Sequence, residues 1–172
     1  LASRLHQANL SEQAKLPLII EEMKQDRQRV RGGEIWPSER LNDHLVRTFQ
    51  LSLDLMLSAA EVKLRTEDVP SLAPLLAWCS VTRDLEEDLA LNLINIPAEV
   101  VEPGSFQQWL ESERERAQTL YEKTEAELEA VKDRSGYGLL VLFHRSVKKY
   151  LEQTVSAAQS EIIESHFQSK KS

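Results

Sequence analysis

Apolar residues recur at spacings of three and four along most of this chain, and no stretch alternates strictly between apolar and polar residues. Spacings of three and four place side chains on one face of an α-helix, whereas strict alternation indicates a half-buried strand. The pattern therefore predicts an all-α fold. In the second predicted helix, the residues near one face are Leu41, Leu45, Phe49, Ser52, Leu53 and Met56.

Breaks in the pattern separate the helices. The first predicted helix runs from about Ser11 to Arg31 and breaks at Gly32-Gly33, and the second runs from about Ser38 to Arg65. The third begins at Pro70-Ser71, where the serine can cap the helix, and it ends before Pro97. This third helix carries the densest run of acidic residues in the chain.

Two further helices are predicted in the last part of the chain. Ser105, with Gln108 three residues later, matches a capping box ahead of an amphipathic run. The apolar stripe of that run, Phe106 to Val131, is interpreted as core, the alternative being a partner-binding or coiled-coil seam. A break at Arg134 to Gly138 then precedes a last helix from about Leu139 to Phe167.

Length, charge and cysteine content narrow the class of protein. The 172 residues suit a single domain over residues 1–172, with no internal repeat or linker. The net charge of -7 disfavours nucleic acid and anionic membrane surfaces as partners. No apolar run approaches the ~18 residues of a membrane span. The one cysteine, Cys79, has no disulfide partner in the chain, and the lack of a disulfide framework predicts a reducing compartment and hence a cytoplasmic protein. Because the chain opens with Leu1, we expect a fragment of a larger domain.

Four acids in five residues, Asp84, Glu86, Glu87 and Asp88, form the most distinctive motif. Carboxylates four apart lie on one face of a helix and repel one another, so they favour a counter-charge. Mg²⁺ takes oxygen ligands and is usually held by one or two carboxylates together with substrate phosphates. The spacing therefore indicates half of a metal-diphosphate site. The alternative is a solvated acidic face with an ordinary ion pair between Arg83 and Glu87.

The segment from Val81 to Asp88, followed nine residues later by Pro97, resembles the second aspartate-rich motif of squalene and phytoene synthases, approximately Asn-x-x-Arg-Asp-x-x-Glu-Asp. Upstream, Glu22 to Asp26 is similar to a helix of that family which ends in an aspartate near the site. The resemblance covers roughly Leu16 to Gln159. Downstream residues that match the family pattern are Trp109, Glu113, Arg116, Ala117 and Tyr121.

The resemblance implies an isoprenoid-synthase-like helical bundle that lacks its N-terminal helices. Asp84 and Asp88 would be catalytic Mg²⁺ ligands, with Glu87 as a further acid at the metal, and Arg83 and Asp26 would contact a prenyl diphosphate. The implied reaction is ionisation of an allylic diphosphate in an apolar cavity that excludes water. An apolar product would also imply peripheral association with a membrane.

Departures from the family pattern keep two alternatives open. The family's first aspartate-rich motif has no counterpart here, and Ser80, Leu93 and Asn95 stand where asparagine, arginine and tyrosine are usual. One alternative is a catalytically silent helical member that acts as a protein-interaction or assembly module. The other is a terpene cyclase on the same scaffold.

Other polar residues carry weaker signals. The basic stretch Arg27, Arg29 and Arg31 ends a predicted helix, so it is interpreted as complementing the helix dipole. The four histidines form no zinc-binding pattern, and none is favoured as catalytic. Cys79 is interpreted as a core residue.

Overall fold

The computed structural model describes residues 15–101, 105–152 and 157–169. These residues form six α-helices and no strand, which confirms the predicted all-α fold. The helices are α1 Lys15–Gly32, α2 Ser38–Ala59, α3 Leu72–Ala90, α4 Phe106–Ala130, α5 Tyr137–Glu152 and α6 Ala157–Ser169.

The ends of α1 and α2 differ in how readily the sequence predicts them. Gly33 adopts the left-handed backbone conformation with a φ of 61°, so the predicted break at Gly32-Gly33 is confirmed. In contrast, α2 ends at Ala59, so the predicted end at Arg65 is wrong. The cause is Glu61, which takes the left-handed conformation with a φ of 59°. Glycine or asparagine usually occupies such a position, so a glutamate gives no signal.

The end of α3 directs the chain back toward its own last turn. Asn92 is left-handed with a φ of 63°, and the Leu93 N–H donates to the Asp88 carbonyl oxygen at 2.8 Å. The Asn92 side-chain amide donates to the carbonyl oxygen of Val30 in α1 at 3.0 Å. These bonds hold the segment that carries Asn95 between α1 and α3.

Two serines predicted to cap helices make other contacts. Ser71 and Ser105 precede α3 and α4, but neither side chain bonds to the following helix backbone. The Ser71 hydroxyl donates to Glu127 Oε1 at 2.8 Å, and the Ser105 hydroxyl donates to the carbonyl oxygen of Val100 at 2.6 Å. The predicted capping box is therefore wrong, and the Ser71 bond instead ties the start of α3 to α4.

Helix α3 lies at the centre of the packing. It contacts α2, α4, α5 and α6, while α1 packs against α2. Its early turns join the larger apolar cluster, and Leu85 and Leu89 join a smaller cluster with Ile94, Ile96 and Phe106. Burial of one such side chain stabilises the fold by roughly 1.5–3 kcal/mol. The acidic motif thus belongs to the helix that the core fixes most firmly.

The predicted apolar stripe of α4 contains many buried residues, whereas the predicted face of α2 is wrong at one residue. Met56 is 42% exposed, and its neighbour Leu57 is fully buried instead. Because each residue turns the helix by roughly 100°, a small error at the edge of a stripe moves a side chain into solvent. The predicted stripe residues of α4 that are buried are Phe106, Leu110, Ala117, Thr124, Leu128 and Val131.

The last predicted helix, Leu139 to Phe167, corresponds to α5 and α6. Residues 153–156 between them lie outside the described residues, as do residues 11–14 of the first predicted helix. Helix α6 packs against α4 and α3. Within the described ranges, no helix has both the length and the apolar character needed to cross a bilayer.

Candidate functional site

Asp84 is paired with its sequence neighbour. The Arg83 guanidinium donates to both carboxylate oxygens, at 2.7 Å from Nε and 2.5 Å from Nη2, and the Ser80 hydroxyl donates at 3.2 Å. The hydrogen bond from Arg83 lowers the pKa of Asp84, and the same bond raises the pKa of Arg83. Asp84 is therefore an ionised carboxylate at neutral pH.

Asp88 lies one turn further along α3 in a more buried position. The Asn95 side-chain amide donates to its Oδ2 at 2.9 Å. Burial raises the pKa of Asp88, and the negative charges of Asp84 and Asp26 raise it further, whereas the bond from Asn95 lowers it. The three carboxylates of Asp26, Asp84 and Asp88 thus share one region of negative potential.

Glu87 is exposed on α3. The alternative ion pair between Arg83 and Glu87 does not form, because Arg83 turns to Asp84 instead. Glu87 therefore keeps its carboxylate in solvent.

Asp26 lies in a buried polar network that joins α1 and α2. Its Oδ1 accepts from Arg29 Nη1 at 3.0 Å and lies 2.9 Å from His44 Nε2. His44 Nδ1 lies 2.7 Å from Glu22 Oε2. Arg29, fully buried, also donates from Nη2 to the carbonyl oxygen of Ile94 at 2.5 Å.

Asn95 connects this network to the acidic motif. Its Oδ1 accepts from Arg29 Nη2 at 3.1 Å, while its amide nitrogen donates to Asp88. Arg29 lies in the last turn of α1, where a basic residue complements the helix dipole, but its guanidinium is also buried and stacks over the ring of Trp36 at 4.4 Å. Asn95, a departure from the family pattern, is the residue that bridges Arg29 and Asp88.

Sequence reasoning missed the roles of Glu22, Arg29, His44 and Asn95. A partial signal existed in α1, because Glu22, Asp26 and Arg29 are spaced by four and three and share one helix face. No periodicity reveals that His44 of the next helix inserts between Glu22 and Asp26.

An apolar cavity of about 410 Å³ lies beside the network, between α2, α3 and α4. This volume falls within the ~300–1,000 Å³ typical of small-molecule sites. Asn95 lines the cavity, so Asp88 is one hydrogen bond from it, although neither Asp84 nor Asp88 lines it directly. The apolar side chains of the wall include Leu45, Trp78, Leu85, Pro97, Trp109 and Leu110.

Three downstream residues of the family pattern reach this cavity. Trp109, Glu113 and Arg116 line it from α4, and Arg116 Nη2 donates to Glu113 Oε2 at 2.5 Å. Ala117 is instead part of the larger apolar cluster, and Tyr121 stacks on His144 with ring centroids 3.9 Å apart. Of the five α4 residues that match the family pattern, three therefore line the cavity and two pack in the core.

Cys79 is a core residue, as predicted. It is buried in the larger apolar cluster, and burial raises the pKa of its thiol to about 11. A thiol with so high a pKa is a poor nucleophile at neutral pH.

No protein-family model, curated protein or solved structure matches this chain. In the part of the chain that the structure describes, no group of three or more histidine, cysteine, aspartate or glutamate side chains is arranged to hold a metal ion. The apolar cavity and the adjoining carboxylates are therefore the features on which a functional assignment depends.

Proposed function

We propose that this chain binds a prenyl diphosphate with Mg²⁺ and is related to the squalene and phytoene synthases, transferases of isoprenoid biosynthesis. The observation that carries the proposal is the position of Asn95, which lines an apolar cavity and at the same time binds Asp88. An apolar chain and a diphosphate need these two environments side by side.

The cavity suits the prenyl chain. Trp78, Leu85 and Trp109 contribute large apolar surfaces to its wall, and apolar walls shield a developing allylic cation from water. Two of the charged residues that line it, Glu113 and Arg116, are paired with each other. The chain would therefore be held by its shape and apolar surface.

The acidic motif suits the metal. Asp84 and Asp88 would be the catalytic ligands, with Glu87 available from solvent as a third oxygen donor. Burial raises the pKa of Asp88, and the negative charges of Asp84 and Asp26 raise it further, so a divalent cation bound there would offset the repulsion between these carboxylates. When bound, Mg²⁺ would neutralise charge that develops on the leaving diphosphate.

Arg83 and Asp26 would act on the substrate side. The Arg83 guanidinium is 53% exposed and can bind phosphate oxygens in the same bidentate manner in which it now binds Asp84. Release of Asp84 from Arg83 would then free that carboxylate for the metal. Asp26 would add its negative charge to the same region, to which it is linked by hydrogen bonds through Arg29 and Asn95.

A specific observation favours a second function, that of a catalytically silent helical module acting in protein interaction or assembly. Asp26, Asp84 and Asp88 each have a hydrogen-bond donor of the protein. Carboxylates satisfied in this way do not need a metal. A terpene cyclase is a third variant, which shares the substrate class of the main proposal.

Incubation with farnesyl and geranylgeranyl diphosphate tests the proposal. We expect diphosphate release that requires Mg²⁺ and stops in EDTA. We also expect an apolar product that partitions into vesicles, in line with the expected peripheral association with a membrane. The variant Asp84→Asn with Asp88→Asn should release none. A matched control removes two exposed acids of α4, Glu111→Gln with Glu125→Gln, and should behave as wild type. Absence of both release and Mg²⁺-dependent binding would favour the silent module.

A further inference from the structure

His44 bridges two carboxylates with its two ring nitrogens. Nδ1 lies 2.7 Å from Glu22 Oε2, and Nε2 lies 2.9 Å from Asp26 Oδ1. A neutral imidazole has one N–H donor and one acceptor nitrogen, so it can satisfy only one ionised carboxylate. The geometry with two carboxylates therefore favours the imidazolium, in which both nitrogens donate.

A continuous chain of hydrogen bonds leads from this ring to the acidic motif. Asp26 Oδ1, which His44 contacts, also accepts from Arg29 Nη1 at 3.0 Å. Arg29 Nη2 donates to Asn95 Oδ1 at 3.1 Å, and Asn95 Nδ2 donates to Asp88 Oδ2 at 2.9 Å. Each link fixes the orientation of the next planar group.

We propose that His44, as an imidazolium clamped between Glu22 and Asp26, is a positioning residue that sets the orientation of Asp88 through Arg29 and Asn95. The inference rests on the proposed function where it concerns substrate, because the orientation of Asp88 matters for a metal-diphosphate. Loss of the proton on Nε2 would leave Asp26 without one of its two donors. Arg29 would then turn further toward Asp26 and loosen its bond to Asn95.

The surroundings of the ring are consistent with a fixed positive charge. His44 is 5% exposed, and the edge of its ring meets the ring of Trp36 with centroids 5.2 Å apart. Burial alone lowers the pKa of His44, but the hydrogen bonds and charges of Asp26 and Glu22 outweigh this effect and raise it. The charged groups that face the ring or line the hollow beside it are Glu22, Asp26 and Arg29 of α1 and Glu39, Arg40, Asp43 and Arg47 of α2, with Asp88 of α3 reached through Asn95.

The chain offers a matched control in His144. This histidine is 4% exposed, and its Nε2 donates to the backbone carbonyl oxygen of Tyr121 at 3.1 Å. Substitution of either histidine by glutamine removes a buried imidazole. Of these two histidines, only His44 has carboxylates at both nitrogens. Effects of lost packing alone should therefore be similar in the two variants, whereas an effect of the lost charge should be confined to His44→Gln.

The test measures Mg²⁺-dependent binding of farnesyl diphosphate from pH 6 to pH 9 in wild type, His44→Gln and His144→Gln. We expect wild-type affinity to fall as pH rises through the pKa of His44, and His44→Gln to bind about 10- to 100-fold more weakly with no such step. His144→Gln should keep the wild-type pH profile. A wild-type profile in His44→Gln would overturn the proposal.

A second readout separates this inference from the proposed function. In the wild-type protein without ligand, the NMR resonances of the Asn95 side-chain amide should shift with the same midpoint as the ring protons of His44. Coinciding midpoints support positioning even if farnesyl diphosphate does not bind, in which case only the proposed function fails. If Asn95 does not respond to the titration of His44, the positioning role is wrong, and this measurement needs no variant to fold.

Discussion

The Asn95 side-chain amide donates a hydrogen bond to Asp88 Oδ2 at 2.9 Å, and its Oδ1 accepts one from Arg29 at 3.1 Å. Asn95 thereby joins the carboxylate of the acidic motif to the buried network of α1 and α2. Because it also lines the apolar cavity, a small change in its position alters both the cavity wall and the orientation of Asp88.

Asn95→Ala should lower the free energy of unfolding by about 1–3 kcal/mol, because it removes the partly buried hydrogen bonds that Asn95 makes with Asp88 and Arg29. The pKa of Asp88 should rise further, since the bond from Asn95 lowers it. Urea denaturation measures the first effect and carboxyl NMR the second. Gln107→Ala, at an exposed position of α4, serves as the control, and equal stability of the two variants would contradict the bridging role.

Stability should depend on pH through His44. Because its pKa is raised in the folded protein, its contribution is complete below about pH 6.5, the ordinary value in the unfolded chain, and is lost as pH rises through the folded-state pKa. The difference in unfolding free energy between wild type and His44→Gln should therefore shrink with increasing pH. A difference that stays constant from pH 6 to pH 9 would show that the ring is not held as an imidazolium.

Filling the cavity should discriminate between prenyl chain lengths. Ala77 lines the cavity from α3 and is 4% exposed, so Ala77→Leu places extra bulk there. We expect geranylgeranyl diphosphate to bind about tenfold more weakly, a loss of ~1.4 kcal/mol, with a smaller loss for farnesyl diphosphate. Ala130→Leu, at the exposed end of α4, is the control. Unchanged affinity for both ligands would place the prenyl chain elsewhere.

Two glycines near the start of α5 should respond in opposite directions to alanine. Gly136 has a φ of 98°, and a Cβ there would lie 2.8 Å from Val62 Cγ2, so Gly136→Ala should destabilise the fold by about 1–3 kcal/mol. At Gly138, a Cβ would meet nothing within 4 Å, and Gly138→Ala should stabilise by about 0.4–1 kcal/mol. Thermal unfolding of both variants checks the sign. A stabilised Gly136→Ala would contradict the contact with Val62.

The all-α fold was predictable because helix periodicity is a local property, repeated over many residues. The break at Gly33 was predictable for the same reason, since glycine marks left-handed backbone. The end of α2 was not, because Glu61 adopts that conformation without the residue type that usually signals it. The burial of Leu57 in place of Met56 depends on packing, because the two side chains point roughly 100° apart around the helix.

The candidate site was predictable only where its residues are close in sequence. The spacing of Asp84 and Asp88 indicated a shared helix face, and the charge of Asp84 does act on Asp88. Arg83 binds Asp84 instead of Glu87 because of the rotamers that these side chains adopt, and the residue spacing alone does not predict those rotamers. The contacts of His44 with Glu22 and of Asn95 with Arg29 join residues that are distant in sequence, and no local sequence pattern predicts such contacts.

Calorimetric titration with farnesyl diphosphate is the most direct measurement. Wild type should bind with Mg²⁺ and lose binding in EDTA, and Asp84→Asn with Asp88→Asn should bind at least about 10- to 100-fold more weakly. The melting temperature should hardly change, because a surface ion pair such as that of Arg83 and Asp84 contributes only ~0–1 kcal/mol, and an asparagine at position 88 still offers an oxygen to the Asn95 amide. Binding by this double variant that equals wild type, or that persists in EDTA, would contradict the proposed metal-diphosphate site.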